Sequence, residues 1–87
     1  MHALTIHHTL PHYGDSLVAI ARDHQQRSFM AVTPDRGRDG SLLFVEIDRV
    51  TLLELERGEV GLHTVMTEHA AGDIFESTDF VREEAVR

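Results

Sequence analysis

Apolar and polar residues alternate over the first ten positions, the two-residue period of a β-strand. Leu4, Ile6 and Leu10 would share one face with His2 and His8, and Pro11 interrupts the ladder. Residues 1–13 therefore read as an edge strand or an extended arm. Two firmer strands follow, Leu17–Arg22 (LVAIAR) and Ser28–Thr33 (SFMAVT), joined by the polar hairpin loop Asp23–Arg27. Pro34–Gly40, with a proline, two glycines and four charges, is the clearest loop of the chain. Ser41–Ile47 (SLLFVEI) is a third strand, apolar on both faces except at Glu46.

The period then changes. Asp48 is placed to cap a helix, because its side chain can accept orphan N–H groups and its charge suits the positive end of the helix dipole. Arg49–Arg57 carries Val50, Leu52, Leu53 and Leu55, and Gly58 is the C-terminal stop. Those apolar positions cover well over half of the circumference, so the helix must be sandwiched or contribute to an oligomer interface. Leu62–Ala70 reads as a second helix, with Leu62, Val65, Met66 and His69 on the inward face. Ile74–Ser77 is a candidate fourth strand, and Thr78–Arg87 a polar, fraying tail.

This order predicts one domain over residues 1–87, of α+β class: a small antiparallel sheet of three to four strands with two short helices on one face. From Tyr13 to Thr78 the chain resembles small bacterial and phage α+β domains that have no assigned activity. The hairpin strands, the run Leu52-Leu53-x-Leu55-x-x-Gly58-x-Val60-x-Leu62 and the strand at Ile74-Phe75 carry the resemblance. It implies the fold and no chemistry.

Composition narrows the functional classes. At 87 residues, with 41% hydrophobic and 26% charged residues, the chain is an ordinary small globular domain with a thin core. The absence of cysteine excludes disulfides, thiolate metal sites and a cysteine nucleophile, and favours the cytoplasm. No apolar run is long enough to span a membrane, and the first residues lack the pattern of a signal peptide. Arginine supplies every positive charge and lysine is absent, which fits a GC-rich bacterial or phage genome.

Seven histidines invite a metal site, but no pair has helical ligand spacing in an unbroken helix: Pro11 lies between His8 and His12, and His63 and His69 are six apart. Glu54, Glu56 and Glu59 flank a helix end with no pocket implied, and no serine has a nucleophile-elbow context. The loop from Asp35 resembles a calcium loop only superficially, because arginines interrupt it and a strand follows it. Arg36 and Arg38 form the only basic cluster in sequence, too little for direct nucleic-acid binding. No catalytic, cofactor or metal residue is assigned.

Charge patterning supplies the functional expectation. Residues 1–40 hold four acids and four arginines, whereas 41–87 hold eleven acids against Arg49, Arg57, Arg82 and Arg87, so the whole net charge of -7 lies there. A one-signed surface repels phosphate and attracts basic groups. The expectation is a non-enzymatic acidic protein-binding module, of the size and charge of an inhibitor, immunity or antitoxin protein. It would dock on a basic surface of a nucleic-acid-handling protein through Glu54, Glu56, Glu59, Glu68, Asp73 and Glu76, with Phe75 and Phe80 as anchors. A homodimer is also expected, from the two-sided apolar helix. The alternative is a small histidine-dependent metal-binding protein or enzyme. Because histidines titrate near pH 6.5, about seven added positive charges would cancel the net -7. Light scattering should show association growing as the pH falls from 8 towards the sequence pI of 5.3.

Overall fold

The computed structural model describes residues 4–14, 17–34 and 40–83. Its strands are β1 (Leu4–Thr9), β2 (Val18–Arg22), β3 (Ser28–Val32), β4 (Leu42–Ile47), β5 (Ala70–Ser77) and β6 (Phe80–Arg82). A 3-10 turn, Pro11–Tyr13, follows β1. Helix α1 (Arg49–Glu56) follows β4, and α2 (Leu62–Thr64) runs on into a single π-helical turn, Val65–His69. The class is α+β, as expected, but the sheet has six strands in the order β5-β4-β3-β2-β1-β6 and is mixed: every pairing is antiparallel except β1 with β6.

The outermost strands in that order, β5 and β6, are joined by only Thr78 and Asp79. A flat sheet would hold them roughly 24 Å apart, at about 4.8 Å per strand. Three Cα steps from Ser77 to Phe80 span at most ~11 Å. The sheet must therefore roll up. The rings confirm it: Phe44 on β4 lies 5.6 Å from Phe75 on β5 and 5.7 Å from Phe80 on β6, centroid to centroid. Residues 70–82 act as one strand that pairs first with β4 and then, past the link, with β1. A five-membered meander alternates direction, so its first and last members run the same way and closure must be parallel.

The roll divides the hydrophobic residues into two sets. Leu4, Ile6, Ala19, Ala21, Phe29, Ala31, Leu42 and Phe44 fill the interior, with Phe75 and Phe80 beside them. Val18, Ile20, Met30, Val32, Val45 and Ile47 point outward and are covered by Leu55 of α1 and Val65 of the π turn. Strands β2 and β3 are thus apolar on both faces because both are buried.

Local chemistry fixes the helix boundaries as expected. The Asp48 carboxylate accepts the Thr51 N–H at 2.8 Å, and helix formation draws its pKa below the usual value, mainly through that backbone bond. At the other end, the Gly58 and Glu59 N–H groups donate to the carbonyls of Leu55 and Glu54, with Gly58 at φ 70°. The Tyr13 hydroxyl reaches the carbonyls of Val60 at 2.8 Å and Leu55 at 3.2 Å, tying the 3-10 turn to the end of α1.

Several expectations are corrected. β1 is not an edge strand or arm, because it pairs with β2 on one side and β6 on the other. A bulge between Ile6 and His8 breaks its alternation, so Leu4 and Ile6 point inward while Leu10 joins the outer cluster. The second helix gives way at Ala70, and β5 starts four residues earlier than expected. His69 is exposed rather than turned into the core. The expected tail contains β6, and just past it the Glu83 N–H donates to the Ile6 carbonyl at 2.8 Å; residues 84–87 lie outside the described residues, as do 35–39 of the expected Pro34–Gly40 loop, which hold most of the calcium-like pattern.

Phe44 is fully buried and touches both halves of the closing strand. Truncation to Ala should cost about 4 kcal/mol, the range for a buried phenyl ring. Urea unfolding followed by circular dichroism checks this, and a conservative Leu42→Val should cost much less.

Candidate interaction surface

β5 is built unlike the other strands. Among the described residues its backbone pairs only with β4, and five of its eight residues are exposed. Its register against β4 is uneven: Val45 opposes Ile74 and Ile47 opposes Ala70, so Ala71, Gly72 and Asp73 face the single residue Glu46. A Cβ at Gly72 would overlap the Glu46 carboxylate where it now lies, the far end of a side chain that could swing aside. Beyond it, Phe75 points into the barrel and Ile74 outward, where it stays 47% exposed.

The expected site residues fall into two groups. Glu54 and Glu56 are half-buried on α1, and Glu59 is exposed just past the Gly58 turn. Glu56 lies 3.1 Å from His8 Nε2, a surface pair of little energetic weight. Glu68 on the π turn and Asp73 and Glu76 on β5 are exposed, and Glu76 accepts a 2.7 Å bond from the Ser41 hydroxyl. Phe75 and Phe80 are half-buried with their rings against Phe44, so the structure uses both in the interior. Among the exposed apolar residues are Val50 and Leu53 on α1, and Ile74. Reading 74–77 as a short returning strand hid Ile74, and no periodicity marks the exposed edge.

The histidines among the described residues do not converge on one point. His7 meets Glu83, His8 meets Glu56, and the His12 ring nitrogen meets the Glu56 carbonyl at 3.0 Å. Among the described residues no three His, Asp or Glu side chains are placed to hold one metal ion. No helix among the described residues is long and apolar enough to cross a membrane.

An ionic network is built on the β2–β3 loop. Asp23, only 4% exposed, accepts the N–H groups of Gln25 and Arg27 at 3.0 and 2.9 Å and pairs with Arg27 Nε at 2.7 Å. Arg27 also approaches Glu46 at 3.5 Å and lies 5.5 Å from the centroid of the Phe29 ring. These bonds turn the chain tightly enough to put Gln26 at φ 66°. Burial pushes the Asp23 carboxyl up, but the Arg27 and Gln25 hydrogen bonds outweigh it and leave the group below its ordinary value.

Comparison with protein-family models, with curated proteins and with solved structures finds no match to this chain. Function must be argued from this geometry alone.

A carboxyl lowered by folding stabilises the fold above its unfolded pKa, and the contribution is lost as the pH falls through the folded value. Asp23→Ala should cost about 2 kcal/mol at pH 7, because it strands two buried-side donors and Arg27. Urea midpoints should show the gap between wild type and variant narrowing from pH 7 to pH 3.

Proposed function

We propose that the protein is a non-enzymatic binding module whose acidic second half docks on a basic surface of another protein, such as a nucleic-acid-handling protein presents. In that role it would act as an inhibitor, immunity or antitoxin protein does. The observation that carries the reading is β5: an eight-residue strand at the end of the sheet order with five residues exposed, bearing Asp73 and Glu76 and preceded by exposed Glu68. An open edge offers a row of backbone donors and acceptors to an extended segment, and alternate side chains set the specificity.

A basic segment laid along β5 would meet Ile74 and Glu76 together on the outer face, since their β4 partners Val45 and Leu43 both lie there, with Asp73 at the bulge alongside. Ile74 thus takes the anchoring part first assigned to Phe75 and Phe80, whose rings are turned inward. Charge of one sign chiefly speeds encounter and rejects acidic partners, acting over about 8 Å at physiological salt. The same charge opposes β5-to-β5 self-pairing, which would bring the acids of two copies together. A homodimer would instead form through Val50 and Leu53, the exposed apolar side of α1.

A synthetic peptide alternating Arg and Val is the probe. Its titration into labelled protein should shift the amides of residues 70–77, and raising the salt should weaken binding. The double variant Asp73→Arg, Glu76→Arg should weaken it about tenfold, while refolding normally because both positions are exposed. Shifts elsewhere, or equal binding of an alternating Glu–Val peptide, would remove the reading.

A further inference from the structure

We propose that a groove between the end of the β2–β3 hairpin and the first turn of α1 binds a phosphomonoester dianion. Three of the chain's eight arginines, Arg22, Arg27 and Arg49, line one groove of about 420 Å3 together with Ser28, Ile47 and Leu52. Strand register builds it: Arg22 pairs with Ser28, and Ser28 with Ile47, so these residues form one row across β2, β3 and β4. Arg49, the first residue of α1, follows two positions after Ile47. The sequence separates these arginines by up to 27 positions, and only the pairing unites them.

Their charges are not equally committed. Arg27 is held by Asp23 and by Glu46, the one acid on the groove wall, so Glu46 is already met by a cation. Arg22 and Arg49 make no ion pair among the described residues, and both are exposed. In a protein of net charge -7, two free guanidinium groups on one concavity are an exception to the surface around them. Two forks with no committed acceptor match a doubly charged phosphate better than a carboxylate, which one fork would satisfy. The Ser28 hydroxyl adds a donor between them. The volume exceeds what a bare phosphate fills, and Ile47 and Leu52 offer an apolar wall for the ester's organic part. The groove adjoins the β5 bulge through Glu46, and Asp73 acts on Arg27, but its test reads Arg22 and Arg49 and so can fail separately from the test of β5.

The test is an amide-shift titration of the full chain with inorganic phosphate, at constant ionic strength. Saturable shifts at Arg22, Ser28 and Arg49 are expected, weakened about tenfold in Arg22→Gln and in Arg49→Gln and unchanged in Arg82→Gln, a control arginine on β6. All three positions are exposed, and the dispersion of the spectrum reports that each variant is folded. Phenyl phosphate should bind more tightly than phosphate if Ile47 and Leu52 hold the organic part. A phosphoserine peptide and adenosine monophosphate then separate a modified protein from a free nucleotide as the source, whichever binds more tightly. No saturable shift, shifts that persist in both variants, or acetate binding as tightly as phosphate would overturn the proposal.

Discussion

The two-residue link between β5 and β6 is the constraint on which the rest of the structure depends. It forbids a flat sheet, because its reach is less than half the width of six strands laid side by side. Once the sheet rolls, one face becomes an interior with no helix on it, and the side chains there must fit a closed volume. Alanine at 19, 21 and 31 leaves space in the middle strands, and the phenyl rings of Phe29, Phe44, Phe75 and Phe80 occupy it. Phe44 sits where the two halves of the closing strand meet, so closure and core packing are one interaction. The helices then have a single task, to cover the outer face, and their short length suffices for it.

Much of this was legible in local patterning. The strands β2, β3 and β4, the Asp48 cap and the Gly58 stop are each set by residues within a few positions, and each lies within a residue or two of its expected place. Two-sided hydrophobicity in β4 was visible too, although it reads equally as a buried layer or an oligomer interface. The misses share one cause: they depend on pairing between distant segments. Phe80–Arg82 is three residues in a charged tail and becomes a strand only because β1 is alongside. The bulge between Ile6 and His8 falls at the polar run His7-His8-Thr9, where the alternation lapses without showing where the pairing shifts. His69 fits an inward helical face until the helix widens into a π turn and ends at Ala70.

For the candidate site, charge was the readable part and placement was not. Counting acids identified residues 41–87 as the charged half, and among its six named acids Glu59, Glu68, Asp73 and Glu76 are exposed. Nothing in the count distinguishes the two half-buried acids of α1 from those along an open strand edge. The aromatic residues mislead for a physical reason: in a chain with four phenylalanines and no tryptophan, a closed interior of this size needs all of the large rings it can recruit. Phe75 and Phe80 lie in polar surroundings in sequence, yet they alternate with exposed residues and so face inward.

Partial closure also explains why one strand can hold both a core and a surface. Residues 80–82 use their backbone groups on β1, which ends the sheet on that side. Residues 70–77 use one side of the backbone on β4, and the register Leu4 to Phe80 carries the described part of β1 past them rather than alongside. The bulge at Ala71–Asp73 adds twist there, and twist turns an edge away from indiscriminate pairing. Asp73 and Glu76 add repulsion against a second copy of the same edge. A fully closed barrel would be more protected and would have no edge to offer. The geometry instead leaves β5 last in the sheet order with Asp73 and Glu76 exposed along it, so that under the proposed reading an extended partner would have to compensate that charge.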